Sequence, residues 1–190
     1  MSDRAWKMIG AAVAAAGLAL FAAGSFVEPA EAPHPVPQAR PAKCDVQVFF
    51  APGDAPERAI AIELRHAQQG QFVRGALYGF NDDDLVREIL AAQAREVDQA
   101  YKFDKVQSAG SKQKAALARL KAAGVPWAIG HVPGGILHDK FAVFDHRVVI
   151  QGSYNWTNHA RKKNRENLLV LDCPDLVKLY EAEWELIPTE

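Results

Sequence analysis

The chain has 190 residues, 22 Lys and Arg against 23 Asp and Glu, a formal charge of −1, and 49% apolar residues. That length holds one domain with a targeting segment to spare, and the near-neutral balance excludes a general polyanion binder. Leaving out Asp3, Arg4, Lys7, Glu28 and Glu31 gives 20 bases and 20 acids from residue 33 onward, unevenly spread. Ten acids and five arginines lie between Asp45 and Asp98. Between Lys102 and Lys121 there are six bases and only Asp104 as an acid, and a second basic run, Arg161, Lys162, Lys163 and Arg165, follows later. Two basic patches on a neutral domain suit an anionic substrate, although each also fits a merely solvated face.

Arg4 and Lys7 precede an uncharged, mostly apolar stretch from Met8 to Val27. At about 1.5 Å per residue it spans roughly 30 Å, enough for a bilayer. Residues 1–27 therefore predict a signal peptide or a retained N-terminal membrane anchor, with Ala30-Glu31-Ala32 as one candidate cleavage site. Both readings export the remainder, placing it in the periplasm, secreted, or held at the inner membrane through residues 8–27. Residues 28–43 carry five prolines and predict a stiff linker. The domain proper is 44–190.

Strand and helix then alternate. Asp45–Phe50 predicts a strand with Val46, Val48 and Phe50 on one face. Pro56–Gln69 is a helix with Ile60 and Leu64 inward, and Gln71–Tyr78 a second strand. Asp82–Asp84 opens a helix to about Arg95, its acids suited to the N-terminal dipole. Val97–Phe103 is a third strand, weakened by the Glu96 and Gln99 that flank and interrupt it. Ser111–Ala123 is a helix closed by Gly124, and Val125–Ile129 a fourth strand. Leu137–Asp145 and Val148–Tyr154 form a hairpin, Glu166–Leu171 a last strand and Pro174–Leu186 a closing helix. The fold class is α/β, a mixed β-sheet flanked by helices on both faces. Cys44 and Cys173 bracket the first and last strands, where an exported domain can bridge them. With no CxxC and no close Cys–His pair, a zinc site is not expected.

The chemistry concentrates in His138-Asp139-Lys140-Phe141-Ala142-Val143-Phe144-Asp145 and, six residues on, Gly152-Ser153-Tyr154-Asn155. Residues two apart on a strand share a face, so His138 projects with Lys140 and Ser153 with Asn155. If His146-Arg147 is a two-residue turn, Asp145 pairs with Val148, Lys140 lies opposite Ser153, and His138 lies opposite Asn155. A polar cluster amid apolar strands calls for mutual hydrogen bonds or a ligand. Lys140 offers a fixed charge for a phosphate oxygen, and Ser153 and Asn155 offer neutral donors. His138 can attack phosphorus or pass protons. Glu166 begins the next strand, placed to hold the His138 ring. Asp145, at a strand end beside a tight turn, suits a structural role at least as well as a catalytic one. Tyr154 and Trp156 alternate away toward the core. Arg161, Lys162, Lys163 and Arg165 are candidate substrate contacts.

The spacing HxK, four residues, Asp, six residues, GSxN resembles the signature of the phospholipase D superfamily, filled here by His138, Lys140, Asp145, Gly152, Ser153 and Asn155. Asn164-Arg165-Glu166-Asn167 and the strand Ala76-Leu77-Tyr78-Gly79-Phe80 also look like that family, and the likeness extends from about Asp45 to Leu186. With one motif and a small domain, the chain most resembles the bacterial Nuc-type endonucleases and the mitochondrial cardiolipin hydrolase group. The resemblance implies metal-independent phosphodiester hydrolysis through a phosphohistidine, with no cofactor. It also implies two motifs per site. His34, His66, His131, His146 and His159 lack a lysine two residues on, so a homodimer is expected to supply the second. Nucleic acid is the leading substrate, with phospholipid head groups or a catalytically silent binding module as alternatives.

Overall fold

The computed structural model describes residues 44–190; the predicted signal or anchor and the Pro-rich linker lie outside them. Seven strands form one mixed sheet: β1 (Asp45–Ala51), β2 (Phe72–Leu77), β3 (Asp98–Asp104), β4 (Trp127–Gly130), β5 (Lys140–Phe144), β6 (Val148–Gly152) and β7 (Glu166–Asp172). Their order is β1-β7-β6-β5-β2-β3-β4. β2, β3 and β4 run parallel; every other pairing is antiparallel. The helices are α1 (Pro56–His66), α2 (Asp83–Ala94), α3 (Lys105–Ala109), α4 (Ser111–Ala122), α5 (Asn158–Lys163) and α6 (Pro174–Leu186). The short helices α3 and α5 carry no apolar periodicity and are not visible in the sequence.

Two cores sandwich the sheet. On one face Ile60, Leu64, Leu85, Ile89, Leu117 and Leu120 from α1, α2 and α4 pack on Val73, Leu77, Phe103, Phe144, Ile150 and Val170. On the other, Val177, Tyr180 and Trp184 of α6 pack on Ala76, Phe141, Val143 and Val149. β5 is thus buried on both sides, which is why it reads as an unbroken apolar run. Asp82 caps α2 as its acids predict, accepting from the amides of Asp84 and Leu85.

β3 forms despite its polar sequence because its polar groups find partners. Gln99 donates to the Ile89 carbonyl and accepts from the Tyr101 hydroxyl. The Lys102 ammonium donates to the carbonyls of Trp184 and Ile187 at 2.6 and 2.8 Å, satisfying the C-terminus of α6. Val46, Val48 and Phe50 share a face as predicted, but they lie on the edge strand and stay about half exposed; Ala51 is buried in the core and Phe49 packs against it.

Candidate active site

Lys140 is the first residue of β5 and pairs with Leu77 of β2. Its side chain is buried, 8% exposed, and its ammonium donates to the His138 carbonyl at 2.5 Å. The same nitrogen lies 4.8 Å from the centroid of the Tyr78 ring. Burial holds the Lys140 pKa below that of a free lysine, opposed by the charges of Asp139, Glu166 and Asp104. His138, just before β5, is exposed, and its ring stands 4.5 Å from that of Tyr78. An exposed imidazole thus sits beside a desolvated ammonium at the open end of the sheet.

The hairpin register differs from the sequence expectation by one residue. Phe144, not Asp145, pairs with Val148. Asp145 and His146 both take left-handed backbone, φ 48° and 55°, and the loop holds three residues rather than two. Continuing the pairing, Lys140 faces Gly152 instead of Ser153, and His138 is not placed opposite Asn155. Gly152 is required there: a Cβ on it would meet the Asn167 carbonyl oxygen at 2.3 Å.

That close approach ties β6 to β7. The Ser153 hydroxyl donates to Glu166 at 2.5 Å and accepts from the Asn167 amide at 3.0 Å, and the Asn167 side chain accepts from the Ser153 amide. Asn164 donates to the other Glu166 oxygen. Ser153 and Glu166 are therefore committed to each other. The single Ser153 proton goes to Glu166, and the contacts of Glu166 are with Ser153 and Asn164 rather than with the His138 ring. Asn155 is half-buried, its side-chain oxygen packed where a Cβ on Gly79 would come within 3.1 Å. Tyr154 and Trp156 are fully buried.

Of the predicted substrate cations, Lys162, Lys163 and Arg165 are exposed. Arg161 is occupied elsewhere: it meets Glu57 at 3.3 Å, Asp82 at 3.5 Å and Asp84 at 2.5 Å. Glu57 and Asp82 are buried, and Arg161 is their counter-charge. Asp145 lies at the far end of β5, about 16 Å from Lys140 at the strand rise. Its carboxylate accepts from Gln71 and lines a separate cavity with His66, Phe72 and Arg147. It is out of reach of a phosphate held at Lys140. Cys44 and Cys173 are disulfide-bonded, as the Asp45–Asp172 pairing brings them opposite. Among the described residues no three His, Cys, Asp or Glu side chains are grouped to hold a metal.

Residues 60–187 match the family model described as "Cardiolipin synthase, PLD-like domain". The chain belongs to the phospholipase D superfamily. It is 31% identical over 140 residues to a phospholipase D of Rickettsia bellii, covering 73% of this chain and 67% of that one. It is 37% identical over 110 residues to the mitochondrial cardiolipin hydrolase of Xenopus tropicalis, covering 57% of this chain and half of that one. Among solved structures, the phospholipase D family member Nuc of Salmonella typhimurium aligns with a TM-score of 0.71 at 27% identity, over 76% of this chain and 94% of Nuc. This phospholipase D family domain acts on phosphodiester bonds. Sequence reasoning on the motif missed Tyr78 and the glutamines behind it, Gln107 and Gln113. Their signal is topological: β5 pairs with β2 on the side away from its hairpin partner, which no local pattern announces.

Proposed function

We propose that the chain is an exported, metal-independent endonuclease acting through a phosphohistidine on His138, in a site completed by the His138 of a second copy. The observation that carries the reading is the exposed His138 beside the buried Lys140 ammonium. The lysine fixes and neutralises a phosphate oxygen where a nitrogen nucleophile can reach the phosphorus. One imidazole attacks; a P–N bond forms as the bond to the leaving oxygen breaks. The second copy's imidazolium protonates that oxygen. The resulting neutral imidazole takes a proton from water as it attacks, and the P–N bond breaks. Exposed Lys162, Lys163 and Arg165, flanked in sequence by Asn155 and Glu166, suit a polynucleotide backbone. The Cys44–Cys173 bridge suits an oxidising compartment.

Phospholipid is the second reading. Val106, Val132 and Ile136 are exposed apolar residues near the segment leading to His138, joined through the Leu137 amide to the Asp104 carboxylate at 3.2 Å. An apolar rim suits a lipid surface better than a nucleic acid.

The test is the purified full chain with EDTA, given plasmid DNA, RNA, and phosphatidylcholine or cardiolipin vesicles. DNA or RNA should be cut, with activity falling steeply as salt rises. His138→Ala should lose roughly a thousandfold or more. Turnover of vesicles alone would put the phospholipid reading first. Abolition by EDTA would overturn metal independence, an active monomer the shared site, and an unaffected His138→Ala the nucleophile.

A further inference from the structure

Tyr78 follows β2 and touches both halves of the His–Lys pair. Its ring stands 4.5 Å from the His138 ring, inclined by 59°, and 4.8 Å from the Lys140 ammonium. Its backbone amide donates to the Asp139 carbonyl at 2.7 Å, so the residue between His138 and Lys140 is fixed by the same side of β2. The ring is itself held: Gln107 of α3 donates to the Tyr78 hydroxyl at 2.9 Å. Gln113 of α4, buried, donates to the Tyr78 carbonyl at 3.4 Å and to the Ser108 hydroxyl at 3.2 Å, and accepts from the Phe80 amide at 2.8 Å.

We propose that Tyr78 is a positioning residue for the reaction, its ring face keeping Lys140 charged and both Lys140 and His138 in one arrangement, with Gln107 fixing the ring. The proposal rests on the phosphodiesterase reading for its catalytic consequence. The physical basis does not. An ammonium taken out of water loses hydration, and the carbonyl of His138 returns one hydrogen bond. The electron-rich face of an aromatic ring is a further stabiliser of the cation that brings no negative charge to repel a phosphate. A carboxylate in the same place would also stabilise the cation but would push the substrate away.

The sign of the pH effect follows. Lys140 must be protonated to bind phosphate, and burial already lowers its pKa. Removing the ring lowers it further, so the alkaline fall in activity moves to lower pH.

The experiment compares wild type, Tyr78→Phe, Tyr78→Leu and Gln107→Leu on bis(p-nitrophenyl) phosphate across pH, with the Lys140 pKa read by NMR of reductively methylated lysines. Tyr78→Leu should lose about tenfold or more in kcat, its alkaline limb and its Lys140 pKa both moving down. Tyr78→Phe keeps the ring and should stay within about threefold with the wild-type limb. Gln107→Leu should match Tyr78→Phe, and the double variant should be no worse than either. An unshifted Lys140 pKa in Tyr78→Leu, or a Tyr78→Phe as impaired as Tyr78→Leu, overturns the proposal. If Tyr78→Leu does not fold, a Tyr78→Phe limb displaced from wild type overturns it alone. Should wild type fail to turn over while the Lys140 pKa still falls in Tyr78→Leu, the phosphodiesterase reading fails and the role of the ring stands.

Discussion

The Asp145 carboxylate accepts a hydrogen bond from the Gln71 side-chain amide at 2.7 Å, at the opposite end of β5 from Lys140. The aspartate of the sequence motif thus fastens the β5–β6 turn to the segment entering β2. Asp145→Ala removes one charge-assisted bond and a residue type tolerant of φ 48°. It should cost about 1–2 kcal/mol in urea unfolding while leaving kcat/KM within about threefold. Asp145→Asn, which tolerates the same backbone, should cost less. A large loss of kcat at unchanged stability would return Asp145 to the active site.

Arg161 is the counter-ion of two buried carboxylates, Glu57 and Asp82, and also binds Asp84. Removing one partner of a buried ionic group leaves the others uncompensated. Arg161→Ala should destabilise the fold by about 3–5 kcal/mol. Lys162→Ala, on the same helix but exposed, should change stability by less than about 0.5 kcal/mol. If Lys162 meets a phosphate backbone, that variant should instead raise KM and flatten the salt dependence of nucleic-acid cleavage. Equal stability effects of the two variants would refute this division of roles.

Much of this was legible along the chain because it is local. The alternation of apolar strands and helices, the Asp82 cap and the HxK…GSxN spacing are all short-range patterns, and each predicted strand is present within a few residues. What the sequence could not carry was register and pairing order. The hairpin loop gained one residue because Asp145 and His146 adopt left-handed backbone without a glycine to announce it. That shift sets Gly152, not Ser153, opposite Lys140. Arg161 sits in a basic run, yet its contacts are acids more than 70 residues away. Tyr78 meets His138 only because β2 lies beside β5.

Gly152 is where β6 and β7 come closest to the site. A methyl group there would stand 2.3 Å from the Asn167 carbonyl oxygen, a backbone atom that cannot swing aside. Gly152→Ala should therefore push the strands apart, at a cost of about 1–3 kcal/mol. The displacement falls on the Ser153–Glu166 bond next to it, so activity should drop more than stability alone explains. Thermal unfolding and turnover measured on one preparation check this. A Gly152→Ala protein of wild-type stability and activity would show that the observed approach is not maintained in solution.

The Cys44–Cys173 disulfide closes a loop of 129 residues and pins the start of β1 to the end of β7. β1 is an edge strand with β7 as its neighbour, and its Val46, Val48 and Phe50 side chains contribute little burial. The bridge adds to the limited packing that Phe49 and Ala51 provide. Cys173→Ser should cost about 2–5 kcal/mol, and wild type in reductant should unfold at the same urea concentration as the variant. The loss should also be local. Amide exchange in β1 should accelerate before that in β5, which is buried on both faces. Uniform acceleration across the sheet would mean that β1 is held by the rest of the fold and that the bridge acts on the unfolded chain alone.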